Sequence, residues 1–392
     1  MATSAAPESG RPFDLVVAGG ILVDPGRRVH ERLDVGIRDG RIASVGPNLS
    51  RGPRTGVLDA GGRLVTPGLI DLHTHLFDGV SQLGVPVDAT CLPAGVTTAV
   101  DAGTAGEIAF DAFRERWLRP ATTQTFAFVN LSSIGLPVDD GLEYGETALR
   151  YVDVDRIVET IRAHADVCLG IKVRIATNQA RVGGDALLSL ALEAADRSGG
   201  RLMVHITEPG IPLDRVFDRL RPGDIVTHLF HGRAETVIGG DGRVLASLRR
   251  ARERGVRTDI GHGGGSFAFA TARAALADGF APDTISTDLH AFSLRGTMRD
   301  LPRTMTKFLA LGMSLDDVVA ATTVEAARSI GRPEVTGTLA VGDPADLAVL
   351  ELVDGPVLLE DTRGVQIKAE QELRAWATVR AGAIVARAGE AA

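Results

Sequence analysis

Leu69-Ile70-Asp71-Leu72-His73-Thr74-His75 follows Val65-Thr66-Pro67-Gly68, a punctuation that ends one run and opens a short apolar strand. Residues two apart in a strand face the same side, so His73 and His75 project together. Two neutral imidazoles converging from one backbone suit a borderline-soft cation such as zinc. The pair reads equally as a strand end carrying two hydrogen-bonded histidines. What decides between the two is whether other strands of the chain end in residues of matching chemistry.

Outward from that stretch, from about Thr66 to Gly331, short apolar strands alternate with helical periods. Strands are predicted at 68–72, 96–101, 124–130, 169–173, 202–206, 225–229, 256–260 and 284–287. Helical periods fall at 154–164, 185–197 and 243–254, with Gly199-Gly200 and Gly255 where helices should stop. Eight such units predict an α/β fold, a parallel (β/α)8 barrel rather than an open sheet. A last helix is expected over 314–328, capped by Ser314 and favoured at its positive end by Asp316 and Asp317. The broken stretch 132–152 reads either as a surface loop or as a lid over the barrel mouth.

The two chain ends differ from this middle. Short β-rich runs occupy residues 13–64, and Asp39-Gly40 between two of them is a hairpin signal. The runs starting at Gly337 and Ala375 have the same character. Together they predict one small β-sandwich built from both ends, residues 12–65 with 335–388. The barrel then spans 66–334, and residues 1–11 form a disordered N-terminus.

A chain of 392 residues has room for one barrel and a smaller unit. Its 44% apolar and 23% charged content is that of ordinary soluble protein. A formal charge of −8, with no basic cluster interleaved with aromatics, argues against a nucleic-acid partner. Cys91 and Cys168 make no disulfide framework. Met1 to Gly10 lacks the features of a signal peptide, and no apolar run is long enough to span a bilayer. A cytoplasmic protein acting on a small molecule is expected, with a homo-oligomer the one further association left open.

In such a barrel the C-terminal strand ends converge on one face. Those ends carry His73, His75, Lys172, His205, His228 and Asp288. Singly, His205 reads as a core histidine and Asp288 as a cap. Lys172 is harder to dismiss, because a lysine inside an apolar strand costs heavily unless paired or modified. Carbamylation by carbon dioxide would make it an anionic oxygen donor able to bridge two metals. Arg174, two residues on, is placed either to grip a substrate carboxylate or to pair with a neighbouring acid. Arg295 is a second candidate. His231, His262 and His290 follow strand ends and are expected to touch substrate or support the site, as is Asn130 at the end of the third strand. Among the histidines His262 leads, because the glycines around it let a ligand approach the backbone. His30 and His164 are expected to be solvated.

The sequence resembles the amidohydrolase superfamily almost end to end. Pro67-Gly-Leu-Ile-Asp-Leu-His-Thr-His matches that family's first-strand motif, and Gly337-Thr-Leu-Ala-Val-Gly-Asp-Pro-Ala-Asp-Leu-Ala-Val-Leu resembles its closing sheet segment. Thr227-His228-Leu229-Phe230 and Ser286-Thr287-Asp288 look like the sixth- and eighth-strand motifs. The resemblance implies two divalent metal ions, zinc by expectation. His73 and His75 would hold one and His205 and His228 the other, with carbamylated Lys172 bridging and Asp288 on the first ion beside a bridging hydroxide. It further implies hydrolysis by that hydroxide, with Asp288 as general base and then acid.

Dihydroorotases of the family typically carry an arginine two residues after the second histidine, where this chain has Phe77. Branches with a third-strand glutamate ligand fit poorly too, since that strand ends at Asn130-Leu131. The stretches starting at Val100, Phe128, Gly170 and Thr227 look most like the deacetylase-type members. These cleave acetyl groups from small α-substituted carboxylates such as acetyl-mandelate or N-acetyl-D-amino acids. Two alternatives remain: a cyclic-amide hydrolase of the dihydroorotase or hydantoinase kind, and a non-catalytic scaffold, which the intact ligand set disfavours.

Overall fold

The computed structural model describes residues 12–137, 149–175 and 184–389. The expected N-terminal arm, residues 1–11, and the centre of the expected lid, 138–148, lie outside the described residues.

Seven parallel strands pair in chain order. They are Leu69–Thr74, Val96–Gly106, Gln124–Asn130, Cys168–Arg174, Arg201–His205, Ile225–Thr227 and Arg257–Thr258. The eighth position, predicted as a strand at 284–287, is not a regular strand. It is a segment held by two bridges, Asp259 to Thr284 and Thr74 to Leu289. Its ladder is broken locally: the Thr287 amide donates to Asp71 Oδ1 at 3.0 Å, and Asp288 adopts a left-handed φ of 50°. The His75 amide still donates to the Leu289 carbonyl at 2.8 Å, so the ring closes between the first and last strands.

The lower interior of the ring is packed rather than open. Ile70, Leu72, Val100, Phe126, Phe128 and Met203 meet there with Ala326 and Ile330. Burial of this kind is worth about 25 cal/mol per Å² of apolar surface, so the floor of the barrel is firmly set. Pairing of the first strand slips between Asp71 and Thr74, which is how Ile70 and Leu72 join the floor while His73 and His75 converge above it.

The outer helices follow the apolar periods. Val154–Ala163 buries Ile157, Val158 and Ile161 and is capped by Asp153, which accepts from the Arg156 amide. Gly184–Ser198 stops at Gly199, whose φ is 73°. The helix expected over 314–328 is instead two, Leu315–Ala321 and Val324–Ile330. Thr322 and Thr323 turn their hydroxyls back onto the Val318 and Val319 carbonyls and end the first helix. Ser314 caps it as expected, accepting from the Asp317 amide.

Two further sheets form a sandwich. The four-stranded one holds Arg41–Gly46, Asp34–Arg38, Leu15–Ala18 and Gly56–Asp59. Arg38 pairs with Arg41 across Asp39-Gly40, both of which have positive φ, as the hairpin signal required. The six-stranded sheet takes Ile21–Asp24, Val29–Arg32 and Leu64–Pro67 from one chain end and Leu347–Glu360, Gln366–Arg380 and Ala383–Arg387 from the other. Leu15, Val35, Leu58, Val65, Leu347 and Val379 lie in the core between the sheets. The long hairpin 347–380 runs on past the sandwich to the barrel helix Leu301–Ala310, and Asp361 at its tip accepts from the Phe269 amide at 2.8 Å. Cys91 and Cys168 are buried free thiols. Among the described residues no helix is long and apolar enough to cross a membrane.

Candidate metal centre

The upper ends of the strands surround a cavity of about 410 Å³. His73, His75, Lys172, His205, His228 and Asp288 all line it. His73, His75 and Asp288 form a compact group: Asp288 Oδ1 lies 3.4 Å from His73 Nε2 and 3.1 Å from His75 Nε2. Beside it stand His205 and His228, ring centres 4.2 Å apart, with His228 4.9 Å from His73. Lys172 Nζ reaches His73 Nε2 at 3.2 Å.

The backbone is bent to make this possible. His228 and Asp288 have left-handed φ angles of 64° and 50°, a strain of about 1–3 kcal/mol each that persists where surroundings over-determine it. Gly103, φ 80°, leaves room for the lysine, since a Cβ there would lie 2.5 Å from Lys172 Cβ. Gly261, φ 47°, has a similar role, for a Cβ would sit 2.9 Å from His73 Nδ1 and 3.0 Å from His228 Nδ1.

Burial is the dominant electrostatic cause throughout. It holds His73, His205 and His228 well below the usual imidazole range, helped by Lys172 near His73 and His228 and by His228 near His205, so all three are neutral. Burial also lowers the Lys172 amine to about 8, against the pull of Asp288, and raises the Asp288 carboxyl. Neutral imidazoles crowded at these distances, with a carboxyl group and an amine that loses its proton more readily than an ordinary lysine, are the donor chemistry a divalent cation takes. The residues present fit a divalent metal.

The other expected residues divide. Arg174 and His290 line the cavity. His262 does not: it is fully buried, stacked on Phe267, with Nδ1 on the Gly263 carbonyl and Nε2 2.7 Å from Lys307 Nζ. Its flanking glycines bring the strand end close to the site but turn the imidazole into the core. His231 is likewise fully buried off the cavity wall, its Nδ1 accepting from the Arg233 amide at 3.2 Å. Asn130 is tied between strands, donating to the Gly103 carbonyl and accepting from the Ser132 amide, both at 2.8 Å. Arg295 is exposed and off the cavity wall. Outside the site, His30 is exposed beside Asp316 at 3.0 Å, whereas His164 packs on Phe110 rather than standing in solvent.

Several lining residues had no signal in the sequence: Arg233, Glu208, Thr207, Phe292 and Leu83 come from loops. The hydroxyls and acids behind the histidines were equally silent. Thr227 and Thr104 could have been found only by asking what receives the far nitrogen of His73 and of His75.

Fold and site define a barrel hydrolase whose strand ends carry a histidine and aspartate centre for a divalent metal. The family model for the amidohydrolase family matches residues 64–216 and 266–383, and the chain belongs to that family. It is 37% identical to a deacetylase of Agrobacterium fabrum over 326 residues, 83% of this chain and 80% of that protein. A deacetylase of Enterococcus faecalis is 28% identical over 95% of this chain and 99% of its own length. Among solved structures, one described as a dihydroorotase superposes with a TM-score of 0.85 at 33% identity, covering 95% of this chain and 99% of its own. One described as an adenine deaminase gives 0.86 at 28% identity with the same coverage.

Proposed function

We propose that the chain removes an acyl group, most simply acetyl, from the amide or ester of a small carboxylate-bearing substrate, with two divalent ions at the centre. The observation that carries this reading is the convergence of His73, His75, His205, His228, Lys172 and Asp288 on one cavity that Arg174 also lines. Deacetylases similar along most of the chain support the acyl specificity.

His73 and His75 would hold one ion and His205 and His228 the other, with carbamylated Lys172 between them. When bound, the ions, zinc in our reading, supply Lewis acidity to the acyl carbonyl and a hydroxide near neutral pH. Asp288 takes a proton from the attacking water and hands it to the leaving group. An amide leaves poorly without that proton, whereas an ester needs less help. Arg174 grips the substrate carboxylate and sets the acyl bond over Asp288. Phe292, 57% exposed at the rim, presents an apolar face to the substrate body.

The test joins metal analysis to a substrate screen. Protein purified without chelator should carry about two divalent ions per chain, and should act on N-acetyl or O-acetyl carboxylates of one hand. A metal-free preparation with full activity would end the reading. A second reading, ring opening of a cyclic amide, is favoured by the superposition on a dihydroorotase at 33% identity. Turnover of dihydroorotate or a hydantoin, with none of the acyclic compounds, would select it.

A further inference from the structure

A histidine can bind a cation through Nε2 only if its other nitrogen keeps the proton, so something in the protein must choose the tautomer. For His228 the choice is plain. Its Nδ1 lies 2.7 Å from the Gly261 carbonyl, which can only accept, so Nδ1 carries the proton and Nε2 the lone pair.

His73 and His75 face hydroxyls instead, which could donate or accept. His73 Nδ1 lies 2.8 Å from Thr227 Oγ1, and that hydroxyl lies 2.7 Å from Asp259 Oδ2. Asp259 is fully buried and collects further donors, Ser286 Oγ at 2.8 Å on Oδ2 and Thr284 Oγ1 at 2.7 Å on Oδ1. Ser286 Oγ already accepts the Gly261 amide at 2.9 Å, so its proton is turned to Asp259, which accepts. The single Thr227 proton therefore points at Asp259, and its oxygen is left to accept from His73 Nδ1–H.

The second case repeats the first with different strands. His75 Nδ1 lies 2.7 Å from Thr104 Oγ1, which donates to Asp101 Oδ2 at 2.7 Å. Asp101 also accepts the Thr104 amide on Oδ1 and the Leu76 amide on Oδ2, both at 2.7 Å. Backbone N–H groups can only donate, so both Asp101 oxygens are acceptors and the Thr104 proton is committed to the acid. In both relays the nitrogen freed of its proton is the one that faces the centre: His73 Nε2 beside Lys172 Nζ, His75 Nε2 beside Asp288 Oδ1.

We infer that Asp259–Thr227 and Asp101–Thr104 are carboxylate–hydroxyl relays that fix His73 and His75 as Nδ1–H tautomers and so make them competent ligands. Thr227, Thr104 and their acids are positioning residues. The consequence for metal affinity rests on the metal reading above; the tautomers themselves do not.

The test uses full-length protein labelled with nitrogen-15 at histidine and stripped of metal. Long-range proton–nitrogen correlation then reports which ring nitrogen is protonated, and zinc alone is titrated in afterwards. Wild type should show His73 and His75 as Nδ1–H. Thr227→Val should move His73, and Thr104→Val should move His75, toward the Nε2–H form, and each should weaken zinc binding about 10–100-fold. Thr227→Ser and Thr104→Ser should restore both readouts, which a merely structural threonine would not predict. The inference falls if wild type shows Nε2–H at these histidines, a result that needs no variant to fold. It falls equally if folded valine variants keep the wild-type tautomers and zinc affinity. Wild type with the expected tautomers that binds no zinc would support the relays and overturn the metal reading alone.

Discussion

Arg174 enters the cavity from the fourth barrel strand, paired in register with His205 and two residues past Lys172. In the proposed function its guanidinium would meet a substrate beside the reacting bond. Removing one charged hydrogen-bonding partner typically costs about 1.5–3 kcal/mol, equivalent to about a 10–150-fold loss in kcat/KM. Arg174→Met should therefore raise KM for a free-acid substrate by at least tenfold and leave metal content unchanged. Kinetics on paired free-acid and methyl-ester substrates check it, since the ester should lose little. Equal losses on both would assign the carboxylate to another group, and Arg233, which lines the same cavity, would be the next to replace.

At the scale of elements, the end of the seventh strand is held from behind by one buried lysine. Lys307, on the helix Leu301–Ala310, contacts His262 Nε2 at 2.7 Å, the Thr297 carbonyl at 2.9 Å and the Glu360 carbonyl at 2.8 Å. It therefore joins the strand end, the loop beyond Asp288 and the tip of the long hairpin. Burial, with Arg303 adding to it, pushes the amine down to about 7. The unfolded chain keeps the ordinary lysine value near 10.4, so between these limits it binds the extra proton and the folded state does not. Stability contributed by this group must rise as pH rises from 7 toward 10. Lys307→Met should lower Tm, and its gap from wild type should widen from pH 7 to pH 9.5. Calorimetry at both pH values measures it, and a constant gap would remove the lysine from the account.

Across the whole molecule, the same hairpin makes sandwich and barrel depend on each other. Its strands supply the middle of the six-stranded sheet through Val349 to Val65 pairing, while Leu359, Ala369 and Leu373 pack into the barrel's own core. Deleting residues 347–392 would strip apolar surface from both, at about 25 cal/mol per Å². The shortened chain should be largely insoluble, and the intact protein should unfold in a single transition. Two well-separated calorimetric transitions in the full chain would contradict that coupling.

Leu69 to His75 told, unaided, that a strand ends in two histidines on one side, and the spacing of later apolar runs told that others end beside it. Those inferences needed only the period of two in a strand and the alternation of strand with helix, which are local properties. The β-rich ends and the Asp39-Gly40 hairpin were legible for the same reason. Two features were not legible in that way, the break of the last helical period and a closing segment that pairs only by bridges. The break at Thr322 and Thr323 uses hydroxyl bonds only four residues long, but what holds it there is distant, the Ile70 amide donating to the Thr322 carbonyl at 2.8 Å, just as the closing segment loses its ladder to Asp71 from the first strand. His262 illustrates the limit best. Its glycine neighbours describe a close approach, but whether the imidazole faces substrate or core depends on Lys307, 45 residues away in sequence and 2.7 Å away in space. The same holds for the proton on His73 and on His75. Sequence can name a ligand, whereas its tautomer is decided by the hydroxyl and acid that folding brings behind it.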